Sequence, residues 1–173
     1  MSVSYITAGM KQEFEKAYDD YADAIFRHCY MRVHDRDRAK ELMQEAFLKT
    51  WEYLSQGKKI DNIRAFLYRV SHNLILNEWR KKQVASLDTM NEDEGFDPEG
   101  DTGEAMTDRL DAEAMVEKLK ELDAKQREAI VMRYIDGLPV KEIAGIIGES
   151  ENVVSVRIHR ALKQLKKILK NYE

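Results

Sequence analysis

The side chains best suited to binding a charged polymer lie near the C-terminal end of the sequence. From Asn152 to Lys170 there are six lysines or arginines and no acid. At about 100° per residue in a helix, one face of this stretch carries Asn152, Val156, Arg160, Lys163 and Lys167. The cations of this face suit phosphates, and its amide, guanidinium and methyl groups suit base edges in a DNA major groove.

A helix-turn-helix would position this basic face. Ile143, Ala144 and Ile147 have helical spacing, and Gly148 then interrupts the pattern. Ser150 can cap a second helix through its side-chain oxygen. The buried face of that helix would consist of Val154, Ile158, Ala161, Leu162, Leu165 and Leu169. The pattern predicts a helix-turn-helix, and the alternative is a buried α-hairpin whose basic face is only solvated.

A second basic stretch, from Lys58 to Lys82, has seven lysines or arginines against Asp61 and Glu78. Aromatic and amide side chains are interleaved with its cations. Such a mixture suits unpaired nucleic acid, because cations follow the backbone while aromatic rings stack on bases. The candidate residues are Lys58, Lys59, Asn62, Arg64, Tyr68, Arg69, Asn73, Asn77, Trp79 and Arg80. The competing interpretation is an ordinary amphipathic helix, since aromatic residues at helical spacing are more often core.

Composition excludes several other classes of protein. The single cysteine, Cys29, rules out an intrachain disulfide. With His28 and His34 it does not match a structural zinc pattern, so we expect no metal and no cofactor. The N-terminal sequence lacks the features of a signal peptide, and no apolar run approaches membrane-spanning length. We therefore expect a cytoplasmic protein with no membrane segment.

The charge is unevenly distributed along the 173 residues. The net charge of −4 divides into +3 for residues 1–83, −10 for residues 84–113 and +3 for residues 114–173. Residues 84–108 are acidic, contain proline and glycine and have no sustained period, which is typical of a flexible linker. We expect an all-α protein with an N-terminal helical domain (1–83), this acidic linker (84–108) and a C-terminal helix-turn-helix domain (109–173).

Apolar spacing and caps predict the individual helices. The first should span residues 10–33, and Asp35 can cap a second that runs to about Gln56. Its apolar stripe is Ala39, Leu42, Met43, Ala46, Phe47 and Trp51. Asp61 or Asn62 can cap a third helix, over residues 63–82.

The C-terminal domain should contain further helices before the helix-turn-helix. A helical pattern resumes at residue 110, and Asp123 with Gln126 resembles a capping box. We expect the helix that follows to bury Ile130, Val131 and Tyr134 and to end at Gly137. Pro139 fits the first turn of the next helix.

Three segments in this order resemble a bacterial RNA polymerase sigma factor of the sigma-70 family, of the small extracytoplasmic-function (ECF) type. They are AKELMQEAFLKTWEYL (39–54), IRAFLYRVSHNLILNEWRKK (63–82) and residues 122–169. The resemblance covers nearly the whole chain. It implies a non-enzymatic subunit that directs promoter recognition, DNA melting and transcription initiation.

The resemblance also implies partners. The N-terminal domain would bind the clamp of core RNA polymerase through Asp37, Glu41, Leu42, Gln44, Glu45 and Phe47. The stretch 58–82 would capture the unpaired strand of the minus-ten promoter element. The recognition helix would read the minus-thirty-five element with Asn152, Val153, Ser155, Val156, Arg157, His159, Arg160 and Lys163. The C-terminal domain would also touch the polymerase flap, and an anti-sigma factor is a further expected partner.

Two other functions, a stand-alone regulator and an all-α enzyme, fit the sequence less well. A stand-alone helix-turn-helix regulator would bind duplex DNA without polymerase, but it normally needs a dimer seam, and the sequence offers no heptad pattern for one. An all-α enzyme would need a constellation of catalytic residues, and the four histidines are dispersed along the sequence. One departure from the family pattern is Glu149, which follows the turn glycine where relatives often have an apolar residue.

Overall fold

A computed structural model of the chain describes residues 7–88, 114–115 and 117–171. The described residues form helices and contain no strand, which confirms the all-α class. They fall into two compact units, divided between residues 97 and 98.

In the N-terminal unit, the described residues form three helices that pack against one another: α1 (Ala8–Val33), α2 (Arg36–Ser55) and α3 (Ile63–Asp88). Its core is mainly apolar, with Ile25, Leu67 and Ile75 fully buried. The α2 stripe is buried as predicted, apart from the half-buried Trp51. Aromatic rings join α1 to α2, since Phe14 lies 6.1 Å from Phe47 and 5.0 Å from Trp51 between ring centroids.

Polar side chains begin α2 and α3 as their sequences predict. The Asp35 carboxylate accepts the backbone N–H of Arg38 at 2.9 Å. The Asn62 side-chain oxygen accepts the backbone N–H of Ala65 at 3.0 Å. Each cap satisfies a backbone donor that a helix leaves unpaired in its first turn. Helix α3 continues to Asp88, past the expected domain boundary at residue 83. The rest of the expected linker, from residue 89, lies outside the described residues.

The C-terminal unit contains a helical stretch at 117–120, then α4 (Ala124–Ile130), a π-helical turn (Val131–Ile135), α5 (Val140–Ile147) and α6 (Glu151–Lys170). Helices α4 and α5 both pack on α6. Asp123 caps α4 by accepting the Gln126 N–H at 2.9 Å, as predicted. Pro139 occupies the capping position before α5 rather than its first turn.

The π-helical turn overturns one sequence prediction. Tyr134 was expected in the core, but its side chain is 59% exposed. In this turn the N–H of Asp136 donates to the carbonyl of Val131 at 2.9 Å, a bond that spans five residues. A five-residue bond winds the backbone more widely than a four-residue bond does. Positions that α-helical spacing places inside are therefore rotated outward.

Arg127 ties α4 to the helical stretch before it. Its Nε donates to the carbonyl of Leu119 at 2.9 Å, and its Nη2 donates to the carbonyls of Lys120 and Leu122 at 3.1 and 3.0 Å. The last four carbonyls of an α-helix lack the N–H donor that the next turn of the helix would supply. One guanidinium therefore satisfies the end of one helix while it belongs to the next.

We expect Arg127→Ala to lower the unfolding free energy of the C-terminal unit by about 2 kcal/mol, because it removes several charge-assisted hydrogen bonds. Amide hydrogen exchange in α4 and α6 would measure the change. The matched control is Lys125→Ala, which removes an exposed cation from the same helix. Equal losses of protection in the two variants would contradict the role given to Arg127.

Candidate nucleic-acid interfaces

The turn between α5 and α6 is built from local hydrogen bonds. Gly148 has a φ of 73°, a conformation that glycine adopts without a side-chain clash. Its N–H and the N–H of Glu149 both donate to the carbonyl of Ala144, at 3.0 and 3.1 Å. Ser150 then accepts the N–H of Val153 at 3.2 Å, which confirms the predicted cap. These bonds set where the basic helix begins.

Helix α6 buries one face and exposes the other. Val154, Ile158 and Ala161 are buried as predicted. Near the C-terminal end of α6, Ile168 is buried and Leu169 is 38% exposed, so Leu169 does not belong to the core as was expected. The opposite side, which we call the recognition face, consists of Asn152, Val153, Ser155, Val156, His159, Arg160 and Lys163, all exposed.

The recognition face combines cations with apolar groups. Val153 and Val156 are 42% and 40% exposed on the same side of α6 as Arg160. They line a groove of about 420 Å³, which lies between α6 and the start of α4 at Asp123 and Lys125. The surface can therefore offer methyl groups to thymine as well as donors to guanine or phosphate.

Arg157 differs from the other predicted DNA contacts. Its Nη2 lies 2.5 Å from an Oε2 of Glu149, and its side chain is only 15% exposed. The structure thus holds this guanidinium against the carboxylate that follows the turn glycine. Both residues were named from the sequence but not as a pair, because the bond crosses the turn.

In the N-terminal unit, α3 presents an exposed polar surface. We call this the basic surface of α3, and it consists of Arg69, Asn73, Asn77, Trp79, Arg80, Lys81 and Lys82. Trp79 is 37% exposed, which leaves part of its ring accessible for stacking. Four cations and two amides accompany it. The combination matches what a single-strand surface needs.

The remaining residues of the predicted single-strand surface differ in their placement. Lys58 and Lys59 are exposed in the loop before α3, and the Lys58 ammonium lies 4.9 Å from the centroid of Tyr53. Arg64 is half-buried. The side-chain oxygen of Asn62 is engaged in capping α3. Of the predicted residues around this loop, Lys58 and Lys59 are therefore the most accessible to a nucleic-acid strand.

Tyr68 lies in the core and is not part of the basic surface of α3. It is 2% exposed, and its ring makes a T-shaped contact with the His28 ring, with 5.1 Å between the ring centroids. A ring packed in this way has no open face on which a base could stack. Tyr68 was predicted to bind a base because it is interleaved with cations in the sequence, but α1 packs over that position.

His72 is also buried in this core, at 4% exposure. Burial, together with the positive charge of Arg32, lowers the pKa of His72 from 6.5 to about 4. Unfolding restores the ordinary pKa. Between these two pH values the unfolded chain therefore binds more protons than the folded chain, and the free energy of unfolding falls as the pH falls.

As the pH falls from 7 to 4, we expect His72 to lower the unfolding free energy of the N-terminal unit by at most about 3 kcal/mol. Urea unfolding followed by tryptophan fluorescence would measure this, because Trp51 and Trp79 are the only tryptophans and both lie in this unit. His72→Gln, which stays uncharged over this range, should show a flatter dependence. Identical pH profiles for the variant and the wild type would contradict the assignment.

The predicted polymerase-binding residues of α2 divide into exposed and buried positions. Asp37, Glu41 and Gln44 are exposed, and Glu45 is half-buried. Leu42 and Phe47 are 1% and 3% exposed, so in this structure they build the core and offer no surface to a partner. Helical phase turns these two inward, as the predicted apolar stripe of α2 requires.

Leu48 of α2 is an exposed apolar residue that was not among the predicted polymerase-binding residues. It is 56% exposed, and it follows Gln44 by one helical turn. Together with Asp37, Glu41 and Gln44 it forms what we call the outer stripe of α2, with spacings of four, three and four residues. The signal was available, since Leu48 is an apolar residue outside the predicted apolar stripe.

Residues 7–88, 114–115 and 117–171 contain no cluster of three potential metal ligands. Cys29 is buried and its thiol forms no disulfide. Within the same part of the chain, no helix has the length and hydropathy to cross a membrane.

Two models of known protein families match the parts of the chain that carry these surfaces. The model of sigma-70 region 2 matches residues 17–84, which include α2 and most of α3. The model of sigma-70 region 4 matches residues 112–165, which include the helix-turn-helix. Together the matches cover more than half of the chain. The chain belongs to the sigma-70 family. The basic surface of α3 lies in region 2 of this sigma factor, and the recognition face lies in region 4.

Individual relatives are similar to most of this chain. The sigma factor is 27% identical to the RNA polymerase sigma factor YlaC of Bacillus subtilis, over 91% of this chain and 92% of YlaC. It is 25% identical to the ECF RNA polymerase sigma factor BldN of Streptomyces coelicolor over 94% of this chain, although it spans only 62% of the length of BldN.

A solved structure has the same fold. It is the sigma factor RpoE of Bartonella quintana in complex with the anti-sigma factor NepR, with a TM-score of 0.76 and 24% identity. The match covers 92% of this chain and 98% of RpoE.

Proposed function

We propose that this sigma factor binds core RNA polymerase and directs it to promoters, where it assists DNA melting and transcription initiation. The observation that carries the proposal is the presence of both sigma regions in one chain, each with its own exposed basic surface. Similarity to ECF sigma factors over most of the chain supports it. The protein acts as a specificity subunit in the cytoplasm and is not itself an enzyme.

The two units would divide the work by the form of DNA that each one binds. The recognition face of α6 suits the major groove of the duplex minus-thirty-five element, because an α-helix fits that groove. The basic surface of α3 suits the unpaired strand of the minus-ten element, because Trp79 can stack on a base while arginines follow the backbone. We propose that the acidic segment between the two units is the linker.

The protein partners follow from the same proposal. The outer stripe of α2 would contact the polymerase clamp, and the C-terminal unit would contact the flap. An anti-sigma factor is a further proposed partner, because RpoE, which shares the fold, was solved together with one. No cofactor is needed for these roles.

Run-off transcription tests the proposal. Purified bacterial core polymerase would be combined with a promoter library, with and without this chain. The proposal predicts that a subset of promoters gives discrete transcripts only when the chain is present. An unchanged transcript profile would contradict it.

A stand-alone duplex-binding regulator is the alternative, and the presence of region 2 disfavours it. Binding of the free chain to promoter DNA at several salt concentrations separates the two functions. The sigma factor should bind weakly alone, because its net charge is −4. Tight, salt-dependent binding without polymerase would favour the regulator.

A further inference from the structure

Helix α3 leaves the packed part of the N-terminal unit just after Ile75. Ile75 is fully buried, whereas every side chain from Trp79 to Ala85 is exposed. Between residues 76 and 85, Glu78 is the last residue whose side chain is largely covered, at 16% exposure. Glu78 therefore marks the point at which the basic end of α3 projects from the bundle.

Arg38 of α2 holds Glu78 at two points. Its Nε donates to one carboxylate oxygen at 2.9 Å, and its Nη2 donates to the other at 2.6 Å. The remaining terminal nitrogen, Nη1, donates to Glu41 at 2.7 Å. A two-point bond of a planar guanidinium to a carboxylate fixes direction as well as distance.

The charges support this arrangement. The hydrogen bond from Arg38 lowers the pKa of Glu78, and the charges of Lys81 and Lys82 act in the same direction. The bonds to Glu78 and Glu41 raise the pKa of Arg38. Glu78 is thus a carboxylate that sits among the cations of α3 and is neutralised by a partner from another helix.

We infer that Arg38 is a positioning residue that joins the two working surfaces of the N-terminal unit. Through Glu41 it contacts the outer stripe of α2, and through Glu78 it fixes the end of α3 that carries Trp79 and Arg80. A polymerase bound to α2 would then hold the strand-binding end of α3 in a set direction. This inference rests on the proposed function.

Charge reversal tests the inference in the reconstituted holoenzyme. In Arg38→Glu three carboxylates converge, and in Glu78→Arg two guanidinium groups meet. The double variant Arg38→Glu/Glu78→Arg restores an opposite-charge pair between the two helices, whereas the bond from residue 38 to Glu41 is lost. We expect each single variant to slow opening of duplex promoter DNA about tenfold or more per active holoenzyme, and the double variant to recover to within about threefold of wild type.

Controls separate positioning from general damage. Core affinity, measured by fluorescence anisotropy, should change less than about twofold in every variant, since the outer stripe is kept. Lys40→Glu reverses an exposed charge on the same helix, and it should open DNA at the wild-type rate. If a reversal variant fails to fold, Glu78→Gln takes its place, because glutamine keeps the shape of the side chain. It should slow promoter opening, but by less than a charge reversal.

Two results would overturn the inference. If the wild-type chain opens promoters and the double variant is as slow as the worse single variant, the Arg38–Glu78 pair does not position α3. Wild-type rates in both single variants would lead to the same conclusion. If the wild-type chain opens no promoter at all, the proposed function fails and this inference fails with it.

Discussion

Replacing Arg160 with alanine should weaken binding of the holoenzyme to its preferred minus-thirty-five element by about 1–3 kcal/mol, the usual value of a bidentate arginine contact to guanine. Arg160 is exposed at the middle of the recognition face and borders the groove next to α4. The measurement is a competition gel shift of holoenzyme on promoters that differ only at single base pairs of this element. Arg160→Ala should lose discrimination at one of those positions.

Lys170→Ala is the matched control for Arg160→Ala, because Lys170 is an exposed cation at the far end of the same helix. It should leave base discrimination unchanged. If Arg160→Ala weakened binding equally on all sequences, Arg160 would contact phosphate alone.

Replacing Leu48 with aspartate should weaken the affinity for core polymerase by about 30-fold or more, as expected of an apolar anchor within a polar interface. Leu48 is more than half exposed in the outer stripe of α2, so the free unit should keep its fold. Titration of labelled chain with core polymerase, followed by fluorescence anisotropy, would give the affinity.

Tyr30→Asp is the control for Leu48→Asp, since Tyr30 is an exposed apolar residue of α1 in the same unit. It should bind core polymerase with an affinity close to that of wild type. Wild-type affinity in Leu48→Asp would place the polymerase contact on a different surface.

Local chemistry was sufficient to predict most of the helices. Asp35, Asn62, Asp123 and Ser150 each accept a backbone N–H three residues ahead, and each was named as a cap from its sequence. A cap depends only on neighbouring residues, so sequence spacing is enough to find it. The α2 stripe was predictable for the same reason, because helical periodicity is a local property.

Features that depend on distant packing could not be predicted. Tyr68 and Trp79 are both aromatic residues of α3, yet only the position of α1 decides that Tyr68 is buried. Arg38 and Glu78 are forty residues apart, and no local rule pairs them. Tyr134 was misplaced because the π-helical turn changes the helical phase.

The central claim is that polymerase and this chain together engage duplex DNA and opened DNA at one promoter. Chemical probing of a supercoiled promoter tests it most directly, with permanganate to detect unpaired thymines and hydroxyl radicals to map protected backbone. We expect upstream duplex protection and reactive thymines near the start site only when both the chain and core polymerase are present. The same protection with the chain alone, or protection without any opened thymine, would contradict it.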